Sequence, residues 1–244
     1  EYPAFLESYE KEKYQALRLN SIKGDTAQMK DKVPFQLQPV AWAKDGFYYE
    51  KDKWIFKDVN FELSQGEILG IFGYSGCGKT SLSKVLSDFQ SPICGEILID
   101  GKMHKKNTFK EVQLIYQHPE KIMNPLWRMK DILEESYVPE QELLDIFGIK
   151  PEWLDRYPIE LSGGELQRFS IVRAFNPKTK YLIADEMTTM LDGITQEFIW
   201  KNFLKIVKKR NIGLIIISHE KDIIEKICDK CLYMDTNKIV NLKN

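Results

Sequence analysis

A chain of 244 residues, 43% of them hydrophobic, can bury a full core and suits one α/β domain carrying a subdomain. Lys and Arg number 35 against 36 Asp and Glu, a balance that excludes the global basic field behind sequence-independent nucleic-acid binding. No apolar run reaches the roughly 18–20 residues of a spanning helix, and Glu1-Tyr2-Pro3 lacks a charged-then-apolar leader, so the chain reads as soluble, cytoplasmic and, lacking an initial Met, trimmed or partial.

In chain order, residues 1–38 are polar and mixed. Tyr2, Phe5, Leu6 and Tyr9 at helical spacing predict a short amphipathic helix in an appendage, packed on its own domain or set against a partner. Residues 39–244 read as one domain. Val59-Asn60-Phe61-Glu62-Leu63 alternates apolar and polar, which predicts a strand, and the apolar run Glu67 to Phe72 predicts another that stops at glycine. Ser81 to Asp88 predicts a helix with Leu82, Val85 and Leu86 on one side, and Glu96 to Asp100 a strand. Within residues 118–175 the patterns are helical, Ile132-Leu133 with Tyr137 and Leu143-Leu144 with Phe147, marking a helical subdomain. Tyr181 to Ala184 then predicts a buried strand, followed by a helix whose Ile199, Phe203, Ile206 and Val207 share a face, and by the strand Gly213 to Ser218. Such alternation implies a largely parallel sheet. Cys77 and Cys94 are scattered, which suits a reducing compartment. Cys228 and Cys231 have no second pair or histidine cluster to complete a zinc site, and read as a helix end running into a strand.

Three motifs carry chemistry. Gly73-Tyr74-Ser75-Gly76-Cys77-Gly78-Lys79-Thr80, between a strand and a helix opening at Ser81, has the spacing of a phosphate-binding loop. Its glycines let backbone N–H groups turn around phosphate oxygens at a positive helix end, Lys79 neutralises the β and γ charges, and the Thr80 hydroxyl faces Mg²⁺. Cys77, among these donors, is expected to be thiolate-prone, readily alkylated and protected by MgATP. Asp185 and Glu186 end a strand at the sheet edge where ligands bind, Asp185 suited to hold Mg²⁺ and Glu186 to polarise an attacking water. The third motif is Leu161-Ser162-Gly163-Gly164-Glu165 with Gln167-Arg168, a helix opening that makes a second anion-binding end.

In that order, the motifs resemble the ABC ATPase family over roughly residues 39 to 243. The resemblance implies a P-loop NTPase core with a mostly parallel sheet, an antiparallel β subdomain and a helical subdomain. It implies ATP and Mg²⁺ as ligands, with Ser162, Gly163 and Gly164 closing over ATP held by an opposite subunit. Tyr49, or its neighbour Tyr48, occupies the adenine-stacking position. Gln117 resembles the glutamine that senses Mg²⁺, Thr189-Met190-Leu191-Asp192 the loop through which subunits communicate, and His219 the histidine that contacts the γ-phosphate. Met187 and Glu220 depart from the proline and aspartate common in the family. Arg156-Tyr157-Pro158-Ile159-Glu160, and Gln117-His118-Pro119 followed by Asn124-Pro125, resemble importers of peptides, nickel or metal chelates. The implied partners are transmembrane permease subunits, a second ABC ATPase subunit that is a heterodimer partner or a second copy, and indirectly an extracytoplasmic substrate-binding protein. The implied location is peripheral, at the cytoplasmic face of the membrane. The rival reading is a soluble ABC ATPase acting on nucleic acid or ribosomes. It would show a second cassette, a long coiled-coil insertion or a zinc-bearing one.

Overall fold

Apolar strands alternating with amphipathic helices build a parallel sheet in the computed structural model, which describes residues 15–18, 37–39, 46–49, 55–56, 59–103, 108–219, 221–235 and 238–241. The chain divides into two compact units, Glu1–Ile55 and Phe56–Asn244. The first contains a three-stranded antiparallel sheet of β1 (Gln15–Arg18), β2 (Leu37–Pro39) and β3 (Gly46–Tyr49), in the order β1-β3-β2. Strand β1 lies in the stretch read as an appendage. The amphipathic helix expected over Tyr2 to Tyr9 lies outside the described residues.

The second unit is organised by a six-stranded sheet. Its strands are β4 (Ile68–Phe72), β7 (Val112–Ile115), β8 (Tyr181–Asp185), β9 (Gly213–Ser218), β10 (Lys230–Asp235) and β11 (Lys238–Asn241), in the order β11-β10-β4-β9-β8-β7. All pairings are parallel except β10 with β11. Parallel strands are covered on both faces, so they read as continuous apolar runs, and all six residues of β9 are buried. Alternate side chains feed two cores. Leu182, Ala184, Leu214 and Ile216 join the larger core, which reaches Phe147, Phe169, Phe175 and Phe203, whereas Leu69, Ile71, Ile183, Ile215 and Ile217 join the other with Leu82.

Helix α1 (Lys79–Leu86) follows β4 and buries Leu82 and Val85. Between β7 and β8 the described chain is helical: α2 (Met129–Glu134), α3 (Gln141–Ile146), α4 (Pro151–Leu154) and α5 (Gly163–Ala174), with short 3-10 turns at Pro119–Lys121 and Pro158–Glu160. Helix α6 (Gly193–Lys209) buries Ile199, Phe203, Ile206 and Val207, the face expected from its periodicity. Helix α7 (Lys221–Ile227) connects β9 to β10, and Cys228 and Cys231 are buried where that helix gives way to the strand.

Two expected strands differ. Residues 59–63 form no strand, although Val59, Phe61 and Leu63 are half-buried while Asn60 and Glu62 are exposed. Val59, Phe61 and Leu63 pack against the core that holds Leu69 and Leu82. The strand expected over Glu96 to Asp100 shrinks to β5 (Leu98–Ile99), which pairs with β6 (Lys102–Met103). Asp100 and Gly101 between them both have positive φ, 52° and 71°, the signature of a two-residue hairpin turn that consumes the strand's end.

Candidate functional site

The buried strand β4 delivers its chain to a loop that only glycine can start. A Cβ on Gly73 would lie 2.0 Å from the carbonyl oxygen of Met234. Gly76 and Gly78 take φ of 84° and 103°, so the loop turns through left-handed positions that favour glycine before α1 begins. Lys79 is buried, its ammonium donating to the carbonyls of Gly73 (2.8 Å) and Tyr74 (2.9 Å). Ser75, Gly76 and Thr80 are exposed, Gly78 and Ser81 half-buried. Cys77 departs from expectation. It is 5% exposed, belongs to the core cluster of Leu69 and Leu82, and its Sγ is 4.0 Å from Lys79 Nζ. The thiol therefore turns into the protein, and ready alkylation does not follow from its place in the loop.

Strand β8 brings Asp185 beside α1. The residue is 4% exposed, and its carboxylate accepts a hydrogen bond from Ser83 Oγ at 2.9 Å. Burial raises its pKa above the ordinary carboxylate value. Hydrogen bonds from Ser83 and Thr80 oppose the rise, the charge of Glu186 adds to it, and Lys79 lowers it. A buried carboxylate only partly compensated by its neighbours, with the Thr80 hydroxyl on it, fits a divalent cation. Ser83 was not singled out from the sequence. Its signal is helical spacing, since it stands three residues after Thr80 on the helix that faces β8.

Glu186 leaves the strand with φ of 48°, a strained position for a residue with a side chain, while its N–H donates to Ile217 O at 3.0 Å. That turn aims its carboxylate along the sheet edge, where Oε1 lies 3.5 Å from Nδ1 of His219, one residue past β9. Gln117, two residues past β7, donates from Nε2 to Thr189 Oγ1 at 2.9 Å, and that hydroxyl donates to Glu186 O at 3.0 Å. Thus the ends of β4, β7, β8 and β9 converge.

The remaining motif residues sit at helix starts. Ser162 caps α5 reciprocally: its Oγ accepts from Glu165 N (3.3 Å) while Glu165 Oε2 accepts from Ser162 N (2.8 Å). Ser162 and Gly163 are exposed, and a Cβ on Gly163 would meet nothing within 4 Å, so the helix end is open to approach. Gly163, Gln117 and His118 line one side of a cavity of about 220 Å³ bordered by Met187, Met190 and Leu191. Asp192 caps α6, its Oδ1 accepting from Thr195 N at 3.0 Å, and a hydrogen bond from the Thr195 side chain, helped by this backbone bond, lowers its pKa. Tyr48 and Tyr49 lie in β3 of the first unit, and their side chains are outside the description. Among the described residues no group of three or more His, Cys, Asp and Glu side chains is set to hold a metal, so a cation at Asp185 would need other ligands, and no helix is long and apolar enough to cross a membrane.

Residues 56–189 match a family model described as ABC transporter, and residues 1–63 match one described as the N-terminal domain of 16S rRNA methyltransferase RsmF. Methionine import ATP-binding protein MetN of Staphylococcus saprophyticus is 34% identical over 202 residues. MetN 3 of Shouchella clausii is 36% identical over 203. Each alignment covers 75% of this chain and 58% of the relative, so the chain spans less than two thirds of these proteins' length. A solved ATP-binding subunit of an ABC transporter superposes with a TM-score of 0.67 at 21% identity, covering 77% of this chain and 84% of that one. A dimeric post-hydrolysis state of the ATP-binding cassette MJ0796, bound to ADP and Pi, gives 0.64 at 20% identity over 86% and 97%.

Proposed function

Because this chain belongs to the ABC transporter family, whose model spans residues 56–189, we propose that it binds MgATP on Gly73 to Thr80 and hydrolyses it to drive an importer. The convergence of Glu186 with His219, beside the buried Asp185 and the Lys79 loop, carries this reading. Lys79 offers positive charge to the phosphates, and the left-handed glycines turn backbone N–H groups toward them. Thr80, Gln117 and Asp185 would hold Mg²⁺, which when bound neutralises charge on the phosphate oxygens. Glu186 orients and polarises water for attack on the γ-phosphorus, so that ATP and water leave as ADP and phosphate, and the adjacent His219 steadies the carboxylate and the transferred phosphate.

Ser162, Gly163 and Gly164 serve the site of a second ATPase subunit, and permease subunits hold the pair together at the cytoplasmic face of a membrane. The names of the relatives, methionine import ATP-binding proteins, support import. For the cargo, Arg156 to Glu160 and Gln117-His118-Pro119 with Asn124-Pro125 support peptides, nickel or metal chelates, while the relatives' names support an amino acid. Uptake of labelled methionine, dipeptide and nickel by the assembled complex decides between them. Glu186→Gln keeps size and hydrogen bonding but loses the proton acceptor, so ATP affinity should stay within about twofold while turnover falls at least about 100-fold. Lys79→Ala should weaken binding itself. Near-normal turnover of the Glu186→Gln complex would remove Glu186 from this role.

A further inference from the structure

Glu186 occupies a backbone conformation that its neighbours must impose. The left-handed region is costly for a residue with a side chain, so it persists where surrounding contacts over-determine it. The loop that follows Glu186 receives three hydrogen bonds from two residues of α6 that belong to none of the motifs. Gln196 Nε2 donates to Thr188 O (2.8 Å) and to Leu191 O (3.1 Å), and Trp200 Nε1 donates to Thr188 Oγ1 (3.1 Å). One turn of helix separates Gln196 from Trp200, so both reach the same loop from one face. The Trp200 ring is anchored in turn by an edge contact with the buried Phe203, at 5.9 Å between centroids.

Inside the loop the bonding is continuous. Leu191 N–H donates to Thr188 O, Thr189 N–H to Glu186 O, and the Thr189 hydroxyl joins Glu186 O to the Gln117 amide. Thr188 and Met187 are buried, so a partner lost at Thr188 is poorly replaced by water. We propose that Gln196 and Trp200 are positioning residues for Glu186: clamping 187–191 onto α6, they hold the strained turn that aims its carboxylate along the sheet edge toward His219. They touch neither nucleotide nor water in this assignment and act through the loop alone. The choice of side chains follows from the acceptors. Two carbonyls in one loop need the two protons of one amide, and a hydroxyl beside an apolar core suits a donor whose body is apolar.

The inference rests on the role given to Glu186 above, and its test separates the two. In the nucleotide-free chain, hydrogen exchange at the amides of Glu186, Thr189 and Leu191 is compared among wild type, Trp200→Phe and Gln196→Met. Gln196→Met removes the donors at nearly constant volume, and Trp200→Phe removes the donor together with part of the ring, so the Gln196 variant is the one free of a packing change. Loss of one or two bonds should speed exchange at those amides about fivefold or more, leaving Leu182 to Ala184 of β8 unchanged. In the assembled complex each variant should lower kcat about tenfold with KM for ATP within about twofold. Combining Trp200→Phe with Glu186→Gln should add nothing to the loss from Glu186→Gln alone, because the positioned group is gone. Unaltered exchange at the three amides in both variants overturns the clamp whatever the turnover does, and so does a full tenfold further loss in the double variant. Normal turnover of Glu186→Gln, with faster exchange in Trp200→Phe, would instead refute the role of Glu186 and keep the clamp.

Discussion

Asp185 sets burial against charge more sharply than its neighbours do. Its folded pKa lies above the ordinary value, so the folded chain binds this proton more tightly than the unfolded chain does. The stability that protonation supplies is fully present below the unfolded pKa of about 3.9 and is lost as pH rises through the raised folded value. Above that raised value the ionised group is a liability in the nucleotide-free chain. Asp185→Asn should therefore raise the melting midpoint at pH 8 by about 2–4 °C, and the gain should shrink as pH is lowered through the raised folded value. A pH-independent difference would show that burial of the charge is not what separates the variants. The cysteines offer a second residue-scale check. Cys77, Cys228 and Cys231 are buried and Cys94 is exposed, so a native chain should be alkylated first at Cys94, and Cys77 should react roughly tenfold or more slowly, at the rate of local opening. Peptide mapping with Cys77 as the fast site would contradict its placement in the core. A sequence motif specifies the backbone of this loop; it does not specify which way the side chain between two glycines turns.

At the scale of elements, legibility followed how local the cause was. Strand β9 was readable to its ends because an unbroken apolar run between Gly213 and Ser218 needs cover on both faces, whichever strands supply it. The buried face of α6 was readable for the same reason, since a helix declares its inner side by period. Residues 59–63 show the limit. The alternation marks which side chains face inward, as Val59, Phe61 and Leu63 do, but a strand also depends on hydrogen bonding to another segment, which no local pattern specifies. Of the candidate site, the residues on the loop and strand ends were visible because phosphate and metal chemistry demands those types in that order. Ser83, Thr188, Gln196 and Trp200 were not, because each acts by meeting a group brought to it by folding, across as many as 102 positions for Ser83 and Asp185.

For the molecule as a whole, Lys79, Asp185, Glu186, Gln117 and His219 lie at the converging ends of neighbouring strands, whereas Ser162 opens a different helix. Gly163 beside it has open space where a Cβ would stand, which suits close approach by another molecule's phosphates. In the proposed two-chain site, association would cost roughly 4–15 kcal/mol, and a permease holding two ATPase subunits together would supply the effective concentration that offsets it. The isolated chain should accordingly turn over poorly, and activity should rise when a second ATPase subunit and the permease are added. Ser162→Arg tests which pocket the serine serves. It places a long cation at the start of α5, where it removes the capping oxygen and obstructs the open helix end, while Gly73 to Thr80 on the same chain are untouched. In a complex pairing one Ser162→Arg subunit with one unaltered subunit, nucleotide should still load on the altered chain's own loop. Hydrolysis should be lost at the unaltered chain's loop, which the arginine now faces. Two chains tagged by different nucleotide analogues, followed through a single turnover, distinguish the sites. Loss confined to the altered chain's own loop would place Ser162 in its own pocket, and undiminished turnover at both would remove it from the reaction.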